Sequence, residues 1–407
     1  MQPFLGESYG NPSSLHSKGR EADQGLIQVR GDVAKVLNCR SSEVIFTAGG
    51  TESINLAILG TARAYEYSNF SSPLRGEGRV RVRKPGHIIT TVIEHHAVLR
   101  PIEALAEHGW SITYLKVDRE GFINLADLKK AIRKDTVLVS IMYANNEVGT
   151  VQNIAQIGKK LKAENVKRKA KKLHPIYFHT DACQAAGSLN LDVNKLGVDL
   201  LSLNGSKIYG PKQTGVLYVR QGTQLLPIIY GGGQERNLRS GTENVAGFVG
   251  LAKALTLAKK SRVVENERLM KLRDYFYKEI KKSMPGVTLN GPNPLSLNPS
   301  PSRGEGRVRV RVNRLPNNLN VSFTGVEGES LMLYLDSYGI CVSTGSACTT
   351  KSVDPSHVLL ALGRSKQEVL GSIRFSLGKA TTKKDLDYVL KILPQLVAEL
   401  RRIKKLN

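Results

Sequence analysis

The chain has 407 residues, 41% of them hydrophobic and 23% charged, with a formal net charge of +24. That length has room for two domains, and that composition is globular rather than disordered. No apolar run is long enough to span a bilayer and no leader-like segment follows Met1. Cys39, Cys183, Cys341 and Cys348 form no CxxC pair, which argues against a metal site and against a disulfide framework. A reducing cytoplasm is therefore the expected setting.

The charge by itself suggests nucleic acid. Its distribution argues otherwise, because +15 of it falls in residues 73–84, 159–172 and 302–314, without interleaved aromatic side chains. No direct nucleic-acid partner and no membrane partner is expected. Two of these stretches are near copies, Arg75 to Arg83 and Arg303 to Arg311, each reading Arg-Gly-Glu-Gly-Arg-Val-Arg-Val-Arg after a Ser/Pro-rich lead-in. Two copies so far apart read as surface-loop insertions, about 71–84 and 296–314. A functionally silent insertion and a basic docking arm are both compatible with them.

In chain order, Val44 to Phe46 reads as a strand, followed by a Gly turn and an apolar helix. His87 to Thr91 is strand-like and Ala97 to Glu107 helical. Ile112 to Val117, Val137 to Met142, Ile176 to Asp181, Leu200 to Leu203 and Val216 to Val219 are further strands, with a basic helix or loop over 159–174. The alternation predicts an α/β fold, a mostly parallel seven-stranded sheet with helices on both faces. A long helical stretch, Glu243 to Lys282, then leads to a smaller α+β domain holding Asn317 to Ser322, Glu327 to Tyr338, Ser372 to Ser376 and a last helix from Lys383. The domains are expected at 1–250 and 251–407.

Several residues stand where chemistry is often placed. Thr47 to Ser53 is a Gly-containing turn at a helix start, suited to an anion but equally to a bare helix cap. Ile93 to His96 follows a strand, and His95 there can stack on a planar group or exchange protons. Asp181 ends a strand, where open α/β sheets bind ligands, or else caps a helix over Ala182 to Gln184. Lys207 follows an apolar run, with Ser206 before it and Gly210-Pro211 after it. Such a lysine can condense with an aldehyde, although a solvated surface lysine has the same appearance. Ser343 to Thr350 places Cys348 among small polar residues, an exposed nucleophile rather than a core thiol. Arg374 interrupts an apolar strand, as a carboxylate-binding guanidinium does.

Taken together the motifs resemble the cysteine desulfurases of the NifS/IscS type, which are class V aminotransferase-like enzymes of pyridoxal 5′-phosphate (PLP) fold type I. The resemblance covers nearly the whole chain outside the insertions. It rests on Gly10 to Ser14, Thr51 to Asn55, Glu94-His95, Asn145 to Gly149, Asp181 to Gln184, Lys207 to Lys212, Gly231 to Glu235, Arg239 to Thr242 and Gly345 to Cys348. It implies that PLP is bound covalently by Lys207, stacked by His95, paired at its ring nitrogen by Asp181 and contacted by Gln184, Asn146 and Asn204. Gly50, Thr51 and Ser206 would hold the phosphate, with Thr242 reaching it from a neighbouring subunit of a homodimer. Arg374 would bind the carboxylate of L-cysteine, and Cys348 would take the sulfur as a persulfide, releasing alanine. An iron–sulfur scaffold or a tRNA-thiolation enzyme would be the sulfur acceptor. The chain departs from the family at Ser206, where His is usual, at Asn204, where Ser is common, and in the family's opening strand, which has no counterpart before Tyr9. A related PLP enzyme, such as a selenocysteine lyase or an aminotransferase, is the alternative.

Overall fold

The computed structural model describes residues 1–67, 84–295, 313–344 and 355–406. Both Arg/Val repeats and the Gly345–Cys348 motif lie outside the described residues. The chain forms two compact units, one of Met1–Leu115, Leu125–Tyr143 and Asn153–Arg262, the other of Lys116–Asn124, Ala144–Gln152 and Val263–Asn407.

The first unit opens with α1 (Ser17–Leu37), β1 (Val44–Thr47), α2 (Gly50–Tyr67), β2 (His87–Thr91) and α3 (His96–Glu107). It continues through β3 (Ser111–Leu115), α4 (Leu125–Ala131), β4 (Thr136–Ser140), α5 (Ile154–Ala170), β5 (Tyr177–Asp181), α6 (Val193–Leu196), β6 (Leu200–Asn204) and β7 (Gly215–Val219). Helix α7 (Val245–Ser283) gives its first part to this unit and its remainder to the other. The strands form one seven-stranded sheet ordered β1-β7-β6-β5-β4-β2-β3. Strands β2 to β6 pair in parallel, and β7 runs antiparallel to both β1 and β6. Strands β1, β2, β4 and β5 are buried along their whole length, as a sheet covered on both faces requires. Ile45, Ile54, Ile58, Ile88, Leu138 and Leu217 are among the residues of one core, packed with Trp110.

Two buried histidines tie neighbouring strands together. His179 of β5 bonds Ser140 of β4 through Nδ1 (2.8 Å) and Ser202 of β6 through Nε2 (2.9 Å). His87 of β2 likewise reaches Thr136 (2.8 Å) and Thr113 (2.8 Å). Both are fully buried, and burial lowers their pKa values, to about 3 for His179 and about 4 for His87.

The second unit holds β8 (Val287–Leu289), β9 (Asn318–Phe323), α8 (Gly328–Ser337), α9 (His357–Ala361), α10 (Lys366–Leu370), β10 (Ser372–Ser376) and α11 (Lys383–Leu406). Its three strands are antiparallel in the order β10-β9-β8. Phe276, Phe323, Leu331, Leu335, Ile373 and Leu393 belong to its separate apolar core. Among the described residues, no helix is long and apolar enough to cross a membrane.

Candidate active site

In the first unit, parallel strands bring the ends of β2, β4, β5 and β6 to one edge of the sheet. Asp181 is the last residue of β5, pairs in register with Ser202 of β6 and is only 7% exposed. One of its carboxylate oxygens accepts from the Cys183 amide at 2.9 Å. The chain after it therefore turns, and Ala182 to Gln184 forms no helix. Gln184 is half-buried in that turn.

His95 caps α3. Its Nδ1 accepts from the Ala97 amide at 3.1 Å, which leaves the ring proton on Nε2. Burial lowers its pKa, the Asp181 charge opposes that shift, and the charges of His96 and Lys207 add to it. His95 is thus a neutral imidazole within electrostatic reach of both Asp181 and Lys207. Glu94, beside it, is fully buried and accepts from the Met142 amide (2.9 Å) and the Thr91 hydroxyl (2.8 Å). Burial raises this carboxyl to about 8, and the Asp181 charge adds to the effect.

Strand β6 ends in a single 3₁₀ turn, Gly205–Ile208, that carries Lys207. Asn204 caps the turn, and its Oδ1 accepts from both the backbone N–H (3.2 Å) and the hydroxyl (3.1 Å) of Ser206. The two departures from the family pattern around the lysine are therefore hydrogen-bond partners. Lys207 and Ser206 are exposed in the isolated chain, because the short turn directs them off the sheet edge.

Helix α2 begins against the same strand ends. A Cβ added to Gly50 would lie 2.7 Å from Cys183 Sγ and 3.2 Å from Asn204 Cβ, so the helix start touches the turns after both β5 and β6. Gly49 has φ of +150°, a conformation that favours glycine. The first-turn amides of α2, with exposed Thr51 among them, are free of helical partners by construction, the arrangement that suits an anion. Arg239 pairs with Glu52 of this turn at 2.9 Å, which fixes the Arg-Ser-Gly-Thr segment to the helix end; Thr242 is exposed. These residues fit a phosphorylated aromatic aldehyde: an amide cradle that only glycine allows, a buried carboxylate for a ring nitrogen, a neutral imidazole and a lysine.

Arg374 and Asn146, among the described residues, belong to the second unit. Arg374 of β10 donates through Nη1 to the Asn146 carbonyl at 3.0 Å, and its Nε is buried with no partner among the described residues. Its backbone exchanges hydrogen bonds with Ser343 (N to O 2.6 Å; O from N 3.2 Å), at the start of the segment leading to Cys348, which is itself outside the described residues. Asn146, expected near the cofactor ring, holds Arg374 through its carbonyl here.

Sequence reasoning missed the buried pair of Glu235 with Arg30, a bidentate contact of 2.7 Å in each arm that also accepts from the Phe46 amide. It holds a turn in which Glu235, Arg236 and Asn237 all have positive φ. A cavity of about 520 Å³ beside α1 and α7, with Phe4, Val29 and Lys259 in its lining, contains none of the residues above.

The aminotransferase class-V family matches residues 1–389. The chain belongs to that family. It falls among the NifS- and IscS-like members. A cysteine desulfurase IscS of Dictyoglomus turgidum is 48% identical over 403 residues, covering 99% of this chain and 91% of that relative. The solved structure of a NifS-like protein matches with a TM-score of 0.82 at 35% identity, covering 98% of this chain and 94% of that one. A structure described as SspA in complex with cysteine matches with a TM-score of 0.72 at 33% identity, covering 92% and 93%. PLP is the cofactor of this family, and so of this chain.

Proposed function

We infer that this protein is a cysteine desulfurase, converting L-cysteine to L-alanine and leaving the sulfur on Cys348 as a persulfide. The observation that carries the reading is the edge of the first unit, where Asp181, the Lys207 turn and the glycine start of α2 converge. Family membership and IscS relatives of nearly full length support the choice of substrate.

When bound, PLP supplies an electron sink for the charge left on the substrate as its C–S bond breaks. The rest is the work of the chain. The α2 amides, with Thr51 and Ser206, hold the phosphate, joined by Thr242 of a neighbouring subunit in a homodimer. Asp181 keeps the ring nitrogen protonated; Gln184, Asn146 and Asn204 contact the ring or its surroundings. His95 packs on the ring as a neutral imidazole. Lys207 anchors the cofactor and moves protons at the substrate carbons, and Arg374 binds the substrate carboxylate. Cys348 attacks the sulfur: the C–S bond breaks, an S–S bond forms and protons complete alanine, with no external oxidant. The first unit is the cofactor-binding part, and the C-terminal region carries the sulfur-accepting cysteine. An iron–sulfur scaffold or a tRNA-thiolation enzyme then takes the sulfur, in the cytoplasm.

The test is to incubate PLP-loaded protein with L-cysteine and assay alanine and persulfide together. Equal yields, abolished in Cys348→Ala, are expected. Alanine without persulfide, or a keto acid instead of alanine, overturns the reading and favours a lyase or an aminotransferase.

A further inference from the structure

Arg374 is not neutralised by its own fold: among the described residues no carboxylate lies within ion-pair distance of it. The Asn146 carbonyl takes Nη1 and leaves the Nε edge, the edge that grips a carboxylate side-on, without a bond to any described residue. One acid is nonetheless held close by: Glu147 follows Asn146, whose carbonyl takes the guanidinium. The turn over 145–149 is locked by Asn145 Oδ1, which accepts from the amides of Glu147 and Val148 at 2.9 Å each. Two buried amides on β9 pin the Glu147 carbonyl, Asn318 at 3.1 Å and Asn320 at 3.2 Å, and Asn320 stands opposite Arg374 in the sheet register. Pinned in this way, the Glu147 side chain is 7% exposed and accepts from the hydroxyl of Ser356, the cap of α9.

We propose that Glu147 is a positioning residue for substrate: it acts through Arg374 to set how tightly the α-carboxylate of the substrate is bound. This rests on the reading of Arg374 as the carboxylate-binding group. Ionised, Glu147 lowers the positive potential that an incoming carboxylate meets; protonated, it leaves the whole guanidinium charge to the substrate. Its surroundings make that choice a close one. Burial raises its pKa to about 7, while the Ser356 hydroxyl and the Arg374 charge hold it down. The groups facing it from β9 are the neutral amides Asn318 and Asn320; from the α9 cap comes a hydroxyl, and from β10 the one charge, Arg374.

The experiment measures KM and kcat for L-cysteine on the PLP-loaded enzyme from about pH 6 to about pH 8.5. In Glu147→Gln, KM should fall about threefold or more at the alkaline end, match wild type at the acid end, and leave kcat within about twofold. The wild-type rise in KM through neutral pH should be absent from the variant. Ser356→Ala is the second variant. Without its hydroxyl the wild-type step should move to higher pH, a shift that a merely structural role would not produce. Cysteamine, which lacks the carboxylate, is the control ligand, read by the change it makes in the visible absorbance of the cofactor. Its binding should be insensitive to Glu147→Gln. An equal rise in KM at every pH, a parallel loss in kcat, or a step retained in Glu147→Gln overturns the inference. Absence of cysteine turnover in wild type would instead overturn the functional reading itself.

Discussion

Replacing Gly50 by Ala tests whether three separate segments must meet for the cofactor to bind. The new Cβ would lie 2.7 Å from Cys183 Sγ and 3.2 Å from Asn204 Cβ. The first distance is shorter than real Cβ contacts allow, so something must shift. What shifts matters, because Cys183 is two residues past Asp181 and Asn204 is three before Lys207. Pushing α2 away from them separates the amides proposed for the phosphate from Asp181 and Lys207 at once. Overpacking of this kind costs about 1–3 kcal/mol, equivalent to roughly 5- to 150-fold in affinity if it falls on the bound state. The helix itself should not suffer, since Ala is favoured over Gly in a helix by about 1 kcal/mol. Titrating apo-protein with PLP and following visible absorbance should therefore show weakened binding in a variant that unfolds near the wild-type denaturant midpoint. Cys183→Ala removes the sulfur that makes the worse contact, so Gly50→Ala combined with Cys183→Ala should recover most of the affinity. Wild-type affinity in Gly50→Ala, or no recovery in the double variant, would refute the argument.

Two predictions concern pH. His179 is held neutral, with a folded value of about 3 below its ordinary 6.5, so its stabilisation is complete above about pH 6.5 and drains away as pH falls towards 3. Between about pH 6.5 and pH 5 this one group should account for about 2 kcal/mol, and His179→Leu should flatten the urea-midpoint profile by that amount; parallel profiles would contradict it. Glu94 has the opposite sense: its folded value of about 8 lies above the ordinary 4.5, so its stabilisation is complete below about pH 4.5 and is lost as pH rises through 8. Glu94→Gln should remove a loss of about 2 kcal/mol between about pH 6 and pH 8, read from the same denaturant profiles, and an unchanged slope would count against a buried neutral acid.

The sheet of the first unit was readable because its strands are short runs rich in apolar and β-branched residues, separated by longer mixed helical stretches. Ser372 to Ser376 was located to the residue, since an arginine flanked by Ile373 and Phe375 still reads as a strand with one less buried position. Strand β8 was not foreseen: Val287 to Leu289 is three half-buried residues, and only pairing with β9 makes it a strand. The basic stretches concealed a different matter. Arg168, counted in the charged run over 159–172, is 2% exposed and donates to the carbonyls of His174, Arg133, Lys134 and Thr136. Arg314, which closes the basic stretch over 302–314, is buried on the carbonyls of Asn290, Pro292 and Asn318. A run of like charges in sequence carries no mark of the one member whose carbonyl partners lie elsewhere in the chain. Glu147 was invisible for the same reason: its motif was legible, but the hydroxyl that holds its carboxylate belongs to Ser356, 209 residues away.

The residues before the lysine show how a local departure becomes intelligible only as a pair. Read singly, Ser206 in place of histidine removes a ring donor, and Asn204 in place of serine adds bulk at the end of β6. In the fold, the Asn204 amide oxygen accepts both donors of Ser206, and its Cβ lies against the place a Gly50 side chain would occupy. Asn204 therefore caps the lysine turn and walls the start of α2 together. Ser206 can give its hydroxyl proton to a phosphate only by releasing Asn204, whereas its lone pairs cannot serve an anion. Phosphate binding in this chain must then lean on the α2 amides more than on the residue before the lysine. It follows that Gly50, where those amides begin, cannot take a side chain without moving the turns after both β5 and β6.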